Sequence, residues 1–254
     1  MKITRAVVPS LFTVLNMFCG FLSIVHTSQG DVPTAAWFIV LAGVFDVLDG
    51  VMARITKSSS DFGIEFDSLS DVVSFGVAPS FLIYTLGLNT QEAVGMLISA
   101  MPMVFGALRL ARFNVQLVGY DKDFFKGLPI PSVALTIASY VLTFYRTGFG
   151  IRGIEFALLA PMVAVLSLLM VSNLKYDTVP RFTRRGIKQH PLRFTITVVG
   201  LTAIIVTKGD ALFPFFVFYV VTGPLRYIIQ LVYHALRPAE AISEEDAEIT
   251  SIDV

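Results

Sequence analysis

The chain has 254 residues, 55% of them hydrophobic and 15% charged, with 22 phenylalanines, one cysteine and a formal net charge of zero. A soluble domain carries roughly 25% charged residues, and the mean hydropathy here is +0.74. Disorder, a disulfide scaffold and an ordinary water-soluble enzyme are excluded, and the neutral charge gives no sign of a nucleic-acid partner.

Apolar runs long enough to cross a bilayer recur along the chain. They predict eight spans, over about 8–27, 32–53, 70–88, 93–115, 130–147, 154–173, 193–208 and 211–235. Pro102, Pro161, Pro214 and Pro224 fall inside spans, where neighbouring helices re-satisfy the freed carbonyls. The alternating ten-residue segments of a β-barrel are absent. The fold class is therefore all-α, a polytopic membrane helix bundle.

Lys2 and Arg5 precede the first span, as in a signal peptide, but its exit, His26-Thr27-Ser28-Gln29-Gly30, lacks a small-x-small cleavage pattern. A retained helix is expected. A cytoplasmic N-terminus puts 16 of the 19 basic residues on one side of the membrane and leaves Arg146, Arg152 and Lys208 on the other. That bias predicts cytoplasmic termini for an even number of spans. From Pro238 onward the chain carries Glu240, Glu244, Glu245, Asp246, Glu248 and Asp253 with no basic residue, which predicts a solvated cytoplasmic tail.

Thirteen acidic residues lie outside that tail, and six of them fall between positions 46 and 71. Asp46 and Asp49 share one face at the inner end of the second span, and Asp67 and Asp71 share one face at the start of the third. A short loop between antiparallel helices would bring the two pairs face to face. As mere caps, Asp67 and Asp71 would suit a helix N-terminus, but Asp46 and Asp49 would oppose the dipole at a C-terminal end. Intramembrane carboxylates point to function. Hard oxygen ligands without histidine or cysteine suit Mg²⁺ or Mn²⁺, with two ions expected. Gly50 and Ala53 let a ligand approach closely, Arg54 offers a guanidinium for phosphate, and Gly63 lets the loop bend toward it. Together these predict a pyrophosphate site.

The pattern Asp46-x2-Asp49-Gly50-x2-Ala53-Arg54-x8-Gly63-x3-Asp67-x3-Asp71 resembles the signature of the CDP-alcohol phosphotransferases. Its eight fixed positions would arise by chance in about one chain in 10⁸ at average residue usage. The flanks resemble the integral-membrane prokaryotic members that use serine. These are Leu15-Asn16-Met-Phe-Cys19-Gly20, Asp67-Ser-Leu-Ser-Asp-Val-Val-Ser-Phe-Gly-Val-Ala-Pro79, Arg109-Leu-Ala-Arg112-Phe113-Asn114 and Gly127-Leu-Pro129-Ile-Pro131. Many family members have Pro-Asn where this chain has Pro9-Ser10, ahead of Thr13.

The resemblance implies transfer of the phosphatidyl group of CDP-diacylglycerol to the hydroxyl of L-serine, giving phosphatidylserine and CMP. It implies that Asp46, Asp49, Asp67 and Asp71 hold the metals and that Asp71 is the general base. Gly50, Ala53, Arg54, Ser60, Gly63 and Thr13 would line the CDP site. Arg109 and Arg112 would hold the serine carboxylate or a lipid phosphate, with Asn114, Lys126 and Asn173 as weaker candidates. It further implies a catalytic core over 1–175, two additional helices over 176–237, the tail over 238–254, a homodimer, and an active site at the cytoplasmic face of the cell membrane. His26, His190 and His234 have no carboxylate near them in sequence and are read as non-catalytic; Cys19 is read as a packing residue.

Two alternatives stay open. A sister enzyme could accept glycerol 3-phosphate or inositol phosphate, since basic residues over 175–193 could bind a second phosphate. A divalent-cation transporter would use the aspartates as its cation site, but would place them mid-membrane between repeats, and no internal repeat is visible.

Overall fold

The computed structural model describes residues 7–56, 60–116, 124–177, 191–207 and 209–236. Lys2, Arg5, His190, the basic residues of 178–190 and the acidic tail lie outside these residues. The chain enters as α1 (Val7–Ser28) and turns at Gly30 into α2 (Val32–Thr56). Asp31 caps α2: its side chain accepts from the Thr34 N–H at 3.4 Å, and hydrogen bonding from Thr34 holds its carboxyl below the usual range. His26 Nδ1 lies 3.3 Å from Asp31 Oδ2, so this histidine does have a carboxylate partner, five residues on, away from the acidic cluster.

A continuous helical rod follows, made of α3 (Asp61–Asp71), a π-helical stretch (Val72–Val77) and α4 (Ala78–Thr85). A 3₁₀ turn (Leu88–Gln91) leads into α5 (Glu92–Gln116), which carries Pro102 in its interior. The ladder that proline loosens is tied across to the rod, because the Met103 N–H donates to Ser80 Oγ at 3.2 Å. Then come β1 (Phe124–Lys126), α6 (Ile130–Phe144), α7 (Ile154–Val171), β2 (Lys175–Asp177), α8 (Pro191–Val206) and α9 (Leu212–Leu236).

Six helical stretches among the described residues are long and apolar enough to cross a membrane: Leu11–Ser28, Val32–Ile55, Phe62–Thr85, Leu88–Val115, Ile154–Val171 and Leu212–Tyr233. Ile130–Phe144 and Phe194–Val206 are shorter apolar helices at the places of the fifth and seventh predicted spans. The all-α polytopic bundle is therefore observed. One difference matters for function. The third helix begins at Asp61 rather than near residue 70, because Ser60 is its N-cap and accepts from the Gly63 N–H at 3.1 Å.

α1 lies against both α2 and the α3–α4 rod, while α6 lies against α2 and α9, and α5 against α7. The interior between them is filled by Ile39, Phe75, Leu82, Ile137, Leu159 and Met170, all fully buried. Phe18, Val47, Leu97, Leu168, Ile228 and many similar side chains stay exposed, as a bilayer solvent requires.

The only paired strands among the described residues are β1 and β2, antiparallel with Phe125 opposite Tyr176. Gly127 leaves β1 with φ +79, and an added Cβ would lie 2.1 Å from the Met170 carbonyl oxygen, so the turn requires glycine. Tyr176 is fully buried and donates to the Val220 carbonyl at 3.2 Å, anchoring α9 to the strand pair. Burial pushes its phenol up. At the other end of α9, Phe213 packs edge-on against Tyr140 and Phe144 of α6, with centroids 5.2 and 5.6 Å apart.

Candidate active site at one end of the bundle

Carboxylate oxygens of Asp46 (α2), Asp67 (α3) and Asp71 (α3) all lie within 4.8 Å of one another. Asp71 is buried, and Asp46 and Asp67 are half-buried. At an effective dielectric of 20, each ionised pair at that separation repels by roughly 3 kcal/mol. A cluster of this kind is ionised only with counter-charge.

Asp49 neighbours Asp46 and Asp67 but is not among the three whose oxygens converge. It is buried and accepts a short hydrogen bond from Thr13 Oγ1 on α1. Of the four carboxylates expected to face one another, three thus converge and the fourth, beside them, is bonded by a hydroxyl. The positions along the helices are corrected too. Asp67 is the seventh residue of α3, and Asp71 its last, directly before the π-helical stretch. Neither is at a helix start, so neither acts as a cap. Asp46 and Asp49 precede the end of α2 at Thr56 by ten and seven residues, beyond the reach of the terminal dipole.

α1 is the element that sets this geometry. Asn16, fully buried, donates from Nδ2 to Asp71 Oδ1 at 3.2 Å. The backbone carbonyls of the same two α1 residues accept from the rod: Ser70 Oγ donates to Thr13 O at 3.0 Å, and Ser74 Oγ to Asn16 O at 2.8 Å. Thr13 and Asn16 therefore each bind a carboxylate through the side chain and a serine through the main chain. The Ser74 contact is close because Gly20 has no Cβ; one built there would lie 2.5 Å from Ser74 Oγ. The π-helical register after Asp71 falls at this contact, a common placement for π-bulges near functional sites.

The remaining predicted residues divide into three groups. Gly50 and Arg54 lie on an open face of α2, where a Cβ on Gly50 would meet only the Arg54 guanidinium, at 4.0 Å; Ala53 is half-buried. Gly63 sits inside α3 rather than in a bending loop, and Ser60 caps that helix. Arg109 is buried in α5 with Asp71, Arg112 and Tyr219 as its titratable neighbours. Arg112 donates from Nη1 to the Val171 carbonyl at 3.3 Å, so part of its guanidinium is engaged at the end of α7. Asn114 links α5 to α3 through Ser68 Oγ at 3.0 Å and Glu65 Oε2 at 3.4 Å. Lys126 and Asn173 are exposed, on β1 and after α7.

Sequence reasoning missed Asn16, Ser70, Ser74 and Tyr219 as neighbours of the site. The signal for Asn16 was present: Thr13 and Asn16 are polar residues three apart within the otherwise apolar stretch Leu11–Leu22.

A divalent cation fits these residues. The converging donors are all carboxylate oxygens, without sulfur or imidazole. Asp67 Oδ1 is moreover buried with no hydrogen-bond partner among the described residues, a costly arrangement for a carboxylate unless a cation satisfies it.

A helical membrane bundle with three converging carboxylates and an open Gly50–Arg54 face has the donors to hold a divalent cation and a phosphate. The chain belongs to the CDP-alcohol phosphatidyltransferase family, whose model matches residues 6–174. It is similar to CDP-diacylglycerol–serine O-phosphatidyltransferase of Helicobacter pylori (strain J99), at 38% identity over 88% of this chain and 92% of the relative. The enzyme of that name from Bacillus subtilis is 34% identical over 70% of this chain and 93% of the relative. Archaetidylserine synthase of Methanothermobacter thermautotrophicus is 42% identical over 70% of this chain and 73% of the relative.

Proposed function

We infer that the protein transfers the phosphatidyl group of CDP-diacylglycerol to L-serine, forming phosphatidylserine and releasing CMP. The observation that carries this reading is the convergence of Asp46, Asp67 and Asp71 in a chain of this family. The serine in the names of all three relatives supports the acceptor.

In this reading Asp71 accepts the proton of the serine hydroxyl as its oxygen bonds to the phosphorus of the diacylglycerol phosphate. The bond from that phosphorus to the oxygen of CMP breaks. Serine's hydroxyl is a poor nucleophile at neutral pH, so a carboxylate within reach is needed. Asn16 keeps one Asp71 oxygen hydrogen-bonded and so fixes the orientation of the carboxylate. Asp46, Asp67 and Asp71 would hold Mg²⁺ or Mn²⁺, with Asp49 joining them for a second ion. Bound there, divalent ions supply charge stabilisation for the pyrophosphate and the departing CMP. Gly50, Ala53 and Arg54 receive the CDP group on their open face, with Thr13, Ser60 and Gly63 along its edges. Arg109 and Arg112 flank the acceptor side, where Arg109 pairs with the serine carboxylate.

The catalytic core spans 1–175, in keeping with the family match ending at 174. The helices of 176–237 and the tail of 238–254 extend it, and the enzyme acts as a homodimer at the cytoplasmic face with both termini cytoplasmic. Incubating purified protein with CDP-diacylglycerol and a panel of alcohols, scored by CMP release, tests the reading. Strong release with L-serine is expected, and release only with another alcohol would overturn the acceptor assignment.

A further inference from the structure

Between the segment that follows α7 and the middle of α9 lies a cavity of about 160 Å³, lined by Asn173, Lys175, Gly223, Arg226, Tyr227 and Gln230. That volume equals roughly five waters, enough for one phosphate group. Each polar side chain on its wall donates hydrogen bonds, two are cations, and none is acidic. Arg226 lies within the apolar stretch Leu212–Tyr233 and puts a cation on the cavity wall. None of the lining residues belongs to α1–α5, so the cavity is built from elements that carry none of the clustered carboxylates. It is at the same end of the bundle as that cluster. β2 pairs there with β1 just past the end of α5, and Arg112 of α5 bonds to the last residue of α7.

The surface beside the cavity decides the kind of anion. Leu225, Ile228, Ile229, Leu231 and Val232 of α9 are all exposed. This apolar face lies among lipid chains, so the phosphates nearest the cavity are those of phospholipid head groups. We propose that the cavity binds the phosphate of an anionic phospholipid whose acyl chains lie along α9. Basic pockets between membrane helices hold lipid head groups by the same charge-assisted contacts.

The test is native mass spectrometry of the full-length protein in detergent micelles, titrated with phosphatidylglycerol, phosphatidylcholine or inorganic phosphate. Phosphatidylglycerol adducts should persist at lower lipid concentration than phosphatidylcholine adducts. The double variant Lys175→Gln/Arg226→Gln should weaken the phosphatidylglycerol adducts about thirtyfold and leave those of phosphatidylcholine unchanged, while Arg226→Lys retains most of the binding. CMP release by each variant verifies its folding. If the double variant misfolds, Gln230→Leu carries the same expectation with a loss of about fivefold. Equal phosphatidylglycerol retention by wild type and a folded variant overturns the site. Inorganic phosphate binding as tightly as phosphatidylglycerol overturns the lipid assignment.

Discussion

Asn16 on α1 donates a 3.2 Å hydrogen bond to Asp71 on α3, joining two buried side chains 55 residues apart in the chain. The amide cannot take up a proton, so it orients the carboxylate and leaves its basicity to the rest of the site. Asn16→Leu keeps the volume and removes the donor. A hydrogen bond to a charged group is worth about 1.5–3 kcal/mol, so kcat should fall roughly 10- to 100-fold. The KM for CDP-diacylglycerol should change little. Unaltered kcat in a folded variant would remove Asn16 from any positioning role.

The acidic cluster predicts metal dependence and a separation of roles. Excess EDTA should abolish CMP release, and Mg²⁺ or Mn²⁺ should restore it. Asp46→Asn and Asp67→Asn should weaken binding of both metal and CDP-diacylglycerol. Asp71→Asn should retain much of the lipid binding yet lose turnover by about 10²-fold or more, the usual scale for a general base. Full turnover in EDTA would contradict the metal assignment; near-normal turnover of Asp71→Asn would move the base elsewhere.

Gly20→Ala probes the contact between α1 and the π-helical stretch. Alanine at an exposed helical position is ordinarily stabilising, but here its methyl group would lie 2.5 Å from Ser74 Oγ and 2.7 Å from Ser74 Cα. The helices must part, at a cost of about 1–3 kcal/mol. Thermal unfolding in detergent should occur at lower temperature, with a parallel loss of activity because Thr13 and Asn16 move away from their carboxylates. An unchanged unfolding temperature would show that the two helices do not pack this closely.

The acceptor side predicts a split in kinetic constants. Arg109→Ala should raise the KM for serine far more than the KM for CDP-diacylglycerol, and Arg112→Ala should do so less, because its guanidinium is already tied to Val171. Ethanolamine lacks the carboxylate and should be a very poor acceptor, since a site built to pair a polar group rejects analogues without it by about 10⁴-fold. CMP release at varied serine and saturating lipid measures each. Faster turnover with glycerol 3-phosphate than with serine would point to a sister activity in the same family.

Orientation is checked without chemistry. In a Cys19→Ser background, cysteines at Ser59 and Lys188 should react with an impermeant reagent only from the cytoplasmic side, and one at Thr147 only from outside. The excess of basic residues on one side motivates this assignment. Labelling of position 188 from outside would break the eight-span topology.

The sequence alone determined the class of the fold, because a bilayer admits only closed backbone hydrogen bonding and the apolar runs have the length of helices that meet it. It also singled out four carboxylates, three of which converge in the fold. Eight spaced residues within a 26-residue window are local information, and helical periodicity places Asp46 with Asp49 and Asp67 with Asp71. Hydropathy misplaced the start of the third helix, since Asp61, Glu65 and Asp67 lower the apolar average although Ser60 caps a helix there. Only the tertiary structure decided that Asp49 pairs with Thr13 while the other three aspartates converge. Only the tertiary structure, too, brought Asn16 to Asp71, Tyr219 to Arg109, and Lys175 to Arg226. These partners are 36 to 110 residues apart in the chain. Their meeting depends on helix packing, in which a missing Cβ at Gly20 and one π-helical register set which side chains face each other, and no local periodicity encodes it.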